Sequence, residues 1–191
     1  FYSIKEIKQL DKETLQIVEK DLKNITQERK SILGLKFDMP MIMGALNITP
    51  DSFSDGGLFF ETTKAYDQAK LMIDSGATII DIGGESTRPG SKTIDEKEEW
   101  QRVKSTVNKI KKNFPKMLLS LDTRKSYVMS NGIENGVDII NDVSGLNFDK
   151  RSFDLINSKK KPFILHHMQG TPETMQNNPT YEDVLLDIFD F

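Results

Sequence analysis

Cysteine is absent from the 191 residues, which excludes a disulfide framework, a thiolate metal site and a cysteine nucleophile. Histidine occurs only twice, as the adjacent pair His166 and His167. Neighbours on an extended strand point to opposite faces, so the two cannot share one ion. No H-E-x-x-H or H-x-x-E-H spacing accompanies them, and a structural or supporting role is the expectation. No apolar run approaches the roughly 18 residues that span a bilayer, and no signal-peptide pattern opens the chain. A net charge of -3 with 29% charged residues offers no basic surface for nucleic acid or membrane. G-x-x-x-x-G-K-[ST] occurs nowhere, so this is not a P-loop protein. The composition suits a cytoplasmic protein with one real core. Both ends, Phe1 and Phe191, fall mid-pattern, as at cut ends of a longer chain.

What is present is a rhythm. Residues 1 to about 33 read as helical: Ser3 and Glu6 have capping-box spacing, and Leu15, Val18, Leu22 and Ile25 form one stripe. Residues 1–40 are taken as an N-terminal helical extension and lead-in. From Met41 on, short apolar runs alternate with amphipathic ones. The predicted strands are 41–46, 78–82, 117–121, 137–143 and 162–168. Helical patterns cover about 62–75, 95–113, 125–135 and 149–160, and another opens at 181–191. Ser75-Gly76, Asn131-Gly132 and Asn135-Gly136 supply turn or helix-stop signals. Strand and helix in alternation predict parallel strands joined by right-handed crossovers, covered on both faces.

Each predicted strand delivers polar side chains at its C-terminal end: Asn47, then Asp81 onward, Asp122, Asn141-Asp142 and His166. Ligands bind at that face of parallel α/β folds. An open doubly wound sheet would concentrate such residues at one switch point, so polar tips on five consecutive strands favour a barrel. A complete (β/α)8 TIM barrel takes about 250 residues. This chain therefore reads as about the first five β/α units, with 41–191 an incomplete barrel domain.

Three stretches carry chemistry. The apolar strand before Asn47 gives way to "NITPDSFSDGG", a long loop rich in oxygen with Phe53 in its middle; loops of that length after a strand are often functional. "GGESTRPG", Gly83 to Gly90, joins two hydroxyls and Arg88 to glycine-freed backbone, a group suited to an anion, or else an ordinary βα turn. Asp122 and Asn141, at adjacent strand tips, complement a ring edge bearing an amino group, a ring N–H and a carbonyl, as in a pterin or guanine. Alternatively, Asp122 caps the helix starting near Lys125 and Asn141 closes a turn. Alternation leaves open whether Asn141 or Asp142 faces inward. Met168 suits the floor of a flat ring.

"MGALNITPDSFSDGG" and "DIGGESTRPGS" resemble the two signature segments of the dihydropteroate synthase family, and "LDTRKS", "DIINDVSG" and "HHMQGTPETMQ" are similar to its later strand ends. The resemblance runs from about Met41 to Tyr181. It implies a (β/α)8 barrel, usually homodimeric, and a sulfonamide target. The implied reaction joins 6-hydroxymethyl-7,8-dihydropterin pyrophosphate to p-aminobenzoate in folate biosynthesis, with Mg²⁺ on the pyrophosphate. By resemblance Asn47 contacts the pyrophosphate and its Mg²⁺, and Thr87 and Arg88 lie near the pyrophosphate and the aminobenzoate. Asp122 and Asn141 hold the pterin edge, with Val143 and Met168 on its faces. Phe53 and Pro89 close over the aminobenzoate ring, and Asp51 is the member of the first loop that reaches the developing site.

The implied chemistry is an SN1-like loss of pyrophosphate, and a loop closing over the resulting cation excludes water. The family's later strands supply a further pterin-binding Asp, a Lys and an Arg/His pair, which have no counterpart before Phe191. The fragment alone is therefore expected to be inactive. The alternatives are a pterin-binding methyltransferase domain, against which Asn47, the Phe53 loop and Thr87-Arg88-Pro89 speak, and a non-catalytic pterin-binding domain.

Overall fold

The structure, a computed structural model, describes residues 7, 9–28, 30–49, 57–86 and 93–191, with the side chains of 57–61 excepted. The chain divides into two compact units, Phe1–Pro40 and Met41–Phe191. In the first, helix α1 (Lys12–Thr26) starts at Asp11, whose carboxylate accepts from the N–H groups of Glu13 and Thr14. That is the ordinary satisfaction of orphan donors at a helix start. The Ser3–Glu6 pair lies outside the described residues. The helix ends at Thr26 rather than near residue 33, because Gln27 turns extended and Leu33 and Gly34 take positive φ between the bridged Ile32 and Leu35. No residue of α1 is buried.

In the second unit the strands are β1 (Met43–Asn47), β2 (Ile79–Gly83), β3 (Leu118–Asp122), β4 (Ile139–Asp142) and β5 (Phe163–Leu165). Each falls inside or within a residue of its predicted run. Between and after them come α2 (Gly57–Asp74), α3 (Glu96–Asn113), α4 (Ser126–Glu134), α5 (Ser152–Lys159) and α6 (Val184–Asp190). All strand pairings are parallel, in the order β1-β2-β3-β4-β5. That order never reverses, so there is no doubly wound switch point. Sequential right-handed crossovers place the connecting helices on one face and leave the other as the lining of a barrel.

The strands differ in cover. β2, β3 and β4 are almost wholly buried, whereas β1 and β5, each paired on one side among the described residues, are largely exposed. Leu46, Ile80, Ile82, Leu119, Leu121 and Ile140 form the helix-side core with Ala65, Ala69, Val103, Val107, Val128 and Met129.

Asn131-Gly132 is not a helix stop. Gly132 lies inside α4, and a Cβ there would stand 2.4 Å from Cδ2 of the fully buried Leu121. The glycine is a close-approach residue, and the stop comes at Asn135-Gly136, where Gly136 has φ of 91°. Gly132→Val should therefore destabilise the fold by about 1–3 kcal/mol through overpacking. Thermal unfolding against the parent chain measures it, and an unchanged midpoint would show that Leu121 can give way.

Candidate active site

Register alone gathers three of the sequence-selected residues. Asn47 pairs with Gly83, Gly83 with Asp122, and Asp122 with Asn141. Side chains in one register row of a parallel sheet share a face, and adjacent strands are about 4.8 Å apart. An amide, a glycine, a carboxylate and a second amide thus stand in line at the strand tips. The flanking side chains close over the glycine: a Cβ on Gly83 would lie 3.2 Å from Asn47 Oδ1 and 3.6 Å from Asp122 Oδ2.

Neither structural alternative for Asp122 and Asn141 holds, because other carboxylates do those jobs. The N–H of Ser126, first in α4, donates to Asp149 Oδ2 at 3.0 Å, not to Asp122. The Asp149 carboxyl is held far below the usual carboxylate range, chiefly by its hydrogen bond from Arg151. The turn after β4 is closed by Asp142, which accepts from Ser144 N–H, Ser144 Oγ and Leu146 N–H. Fully buried Asp142 faces the helix side, so Asn141 is the member of the pair facing inward.

Asn141 is held at both ends. Its Nδ2 donates to Asp81 Oδ2 at 3.0 Å, and its Oδ1 lies 2.6 Å from His166 Nε2. The histidines do part company: His167 Nε2 lies 3.2 Å from the Tyr181 hydroxyl, and its ring meets Phe191 edge-on. Asp81 was not singled out as a site residue on sequence; it sits two residues inside β2, on the same face as Gly83. Its Oδ1 is buried without a partner among the described residues, as is Ser120 Oγ beside it in register. The signal available was the unusual cost of a carboxylate in mid-strand.

Asp122 carries the dominant electrostatic feature. Burial first, then the nearby charges of Asp81, Glu99, Asp142 and Glu85, push its pKa up to about 7. Its carboxylate has no hydrogen-bond partner among the described residues. A group so placed gains by meeting donors from a ligand.

A second ionic cluster, also missed on sequence, sits where the loops after β2 and β3 meet. Lys125 is 5% exposed, and its ammonium donates to Glu85 Oε1, Glu99 Oε2 and the Ile94 carbonyl at 3.0, 2.6 and 2.8 Å. Arg124 bonds Glu85 Oε2 and Thr93 Oγ1 and lies over the Phe148 ring. Burial pushes the Glu85 carboxyl up, but the Ile94 N–H and Lys125 outweigh it and its pKa falls. For Glu99, burial wins over Lys125 and the pKa rises.

Met168 lines a cavity of about 530 Å³ with Arg124, Ser144, Phe148 and Pro172, at the loops following β3, β4 and β5. Val143, half-buried, follows directly on β4. Asp51, Phe53, Thr87, Arg88 and Pro89 lie outside the described residues. Among the described residues no three His, Asp or Glu side chains gather to hold a metal. Asn47 Oδ1 is nonetheless a ligand oxygen at the tip of β1, beside Gly83. That fits Mg²⁺, which takes few protein ligands and shares its sphere with water and substrate phosphate.

Residues 43–191 match the family described as pterin binding enzyme. The chain belongs to the pterin binding enzyme family. Within that family it is 44% identical over 157 residues to the dihydropteroate synthase of Haemophilus influenzae, a match covering 82% of this chain and 56% of the relative. The Yersinia pestis dihydropteroate synthase solved with a sulfonamide drug superposes with a TM-score of 0.74 at 41% identity, over 82% of this chain and 56% of that one. The Clostridium difficile dihydropteroate synthase solved in the presence of pteroic acid gives 0.73 at 40%, over 80% and 56%. The chain thus spans about half the length of the pterin binding enzymes it matches. No described helix is long and apolar enough to cross a membrane.

Proposed function

We propose that this chain is part of a dihydropteroate synthase, condensing 6-hydroxymethyl-7,8-dihydropterin pyrophosphate with p-aminobenzoate in the cytoplasm. Met41–Phe191 is then the pterin-binding barrel domain, and residues 1–40 an N-terminal extension. The observation that carries the reading is the row of Asn47, Asp122 and Asn141, with hydrogen-bonding capacity left over at every member. The relatives' names support it.

Asp122 accepts the amino and ring N–H donors of the pterin, while Asn141 supplies one donor and one acceptor. Val143 and Met168 pack on the ring faces. Asn47, Thr87 and Arg88 hold the departing pyrophosphate, whose bond to the pterin methylene breaks before the arylamine attacks. Asn47 would be the residue to hold Mg²⁺, which would supply charge neutralisation to the leaving group. Phe53 and Pro89 close over p-aminobenzoate, with Asp51 beside them, and keep water from the cation. An arylamine is neutral and nucleophilic at pH 7, so no strong general base is needed. A homodimer is the proposed assembly.

Calorimetry on a complete protein carrying this chain tests the reading. p-Aminobenzoate should bind only once pterin and pyrophosphate are in place; binding to the empty protein, or no pterin binding at all, would overturn it. The 191-residue chain by itself should form no dihydropteroate, and measurable turnover would contradict that expectation.

A further inference from the structure

We infer that His166, working with Asp81, is a positioning residue that fixes the polarity of the Asn141 amide and so selects which donor–acceptor order a ring edge must present. The inference rests on the ring site proposed above. Asn141 is 7% exposed and two of its amide valences are committed. A carboxylate accepts, so the Asn141 atom 3.0 Å from Asp81 Oδ2 is Nδ2. The atom 2.6 Å from His166 Nε2 is then Oδ1, and the imidazole proton sits on Nε2.

The topology explains how the two partners arrive from opposite sides. Ile164 is the β5 register partner of Asn141, and His166, two residues on, keeps the same face. Asp81 comes from β2, one face-row deeper, where it pairs with Ser120. Turning the amide over would set Oδ1 against a carboxylate and Nδ2 against an N–H, replacing two hydrogen bonds by two repulsions. The valences left for a ligand are one N–H and one lone pair, in fixed order beside Asp122. Without His166 one of the two locks is gone and only the Asp81 contact still opposes inversion, so a ring with donor and acceptor exchanged is penalised less.

Two measurements test this. Nitrogen-15 NMR of the ligand-free protein should show the His166 ring proton on Nε2; a ring protonated at Nδ1 alone would overturn the inference. Calorimetry then compares 6-hydroxymethylpterin, a 2-amino-4-oxo ring, with its 4-amino-2-oxo isomer. The parent protein should prefer the first, His166→Leu should lose at least tenfold of that preference, and His166→Gln, whose Nε2 donor reaches the same place, should restore it. A purely structural His166 would weaken both rings together, and an unchanged ratio in His166→Leu overturns the inference. Failure of the parent protein to bind either ring would instead sink the pterin reading and the selectivity with it, while the tautomer, which needs no ligand, still decides the His166–Asn141 geometry.

Discussion

Replacing Lys125 with methionine should lower the unfolding free energy by about 3–5 kcal/mol, the usual cost of stripping one partner from a buried ion cluster. The shape of the side chain is nearly kept, so packing contributes little. What is lost is the one ammonium that, among the described residues, serves Glu85 Oε1, Glu99 Oε2 and the Ile94 carbonyl. Glu99 is the worse stranded, since its Oε1 already lacks a partner among the described residues. Neutralising it should recover part of the loss, so Lys125→Met with Glu99→Gln should be more stable than Lys125→Met alone. Urea unfolding of the parent, both single variants and the pair gives the coupling directly; strict additivity would deny that the two residues act together. Hydrogen exchange at the Ile94 amide, which donates to Glu85 Oε1, should accelerate in the same variant.

Asp122→Asn should move stability and ligand binding in opposite directions. The folded-state pKa of Asp122 is raised to about 7 by burial and by neighbouring carboxylates, above its unfolded value of about 3.9. A raised acid favours the fold while protonated. That contribution is complete below the unfolded pKa and is lost as pH climbs through about 7. At pH 8 the ionised group in the ligand-free site therefore costs up to about 4 kcal/mol, at about 1.36 kcal/mol for each pKa unit. The amide variant should unfold later than the parent at pH 8, with the gain shrinking toward pH 4. Pterin affinity should fall about a hundredfold, since a hydrogen bond to a charged group contributes about 1.5–3 kcal/mol and an amide N–H faces the ring donors instead. In the parent protein, affinity should also weaken as pH drops below 7 and the carboxylate takes up its proton. Calorimetry from pH 5 to 8 and thermal scans of both proteins check the two halves separately. A variant that loses stability at pH 8 would refute the electrostatic assignment.

The fold was legible because its signals are local. Each strand announces itself as an apolar run ended by a polar residue, whereas the helix caps at Asp11, Asp95 and Asp183 emerge only from the structure. Asn47, Asp122 and Asn141 could be picked out for the same reason, being costly polar groups at the ends of apolar runs. What stayed hidden depends on contacts across the sheet. Nothing near position 125 tells that its ammonium will be buried against residues 26 and 40 positions away. Gly132 reads as a stop until Leu121 is seen beneath it. Asn141 and Asp142 could be told apart only once Ser144 and Leu146 were seen to claim the carboxylate.

Asp149 meets the first N–H of α4 and Asp142 closes the turn after β4, so neither duty falls on the rim residues. Because the scaffold's own obligations are met by neighbours, the rim positions at 47, 122 and 141 can be exchanged without unravelling the turns around them. Such a site can be retuned toward a new small molecule by single substitutions while the turns around it are left intact.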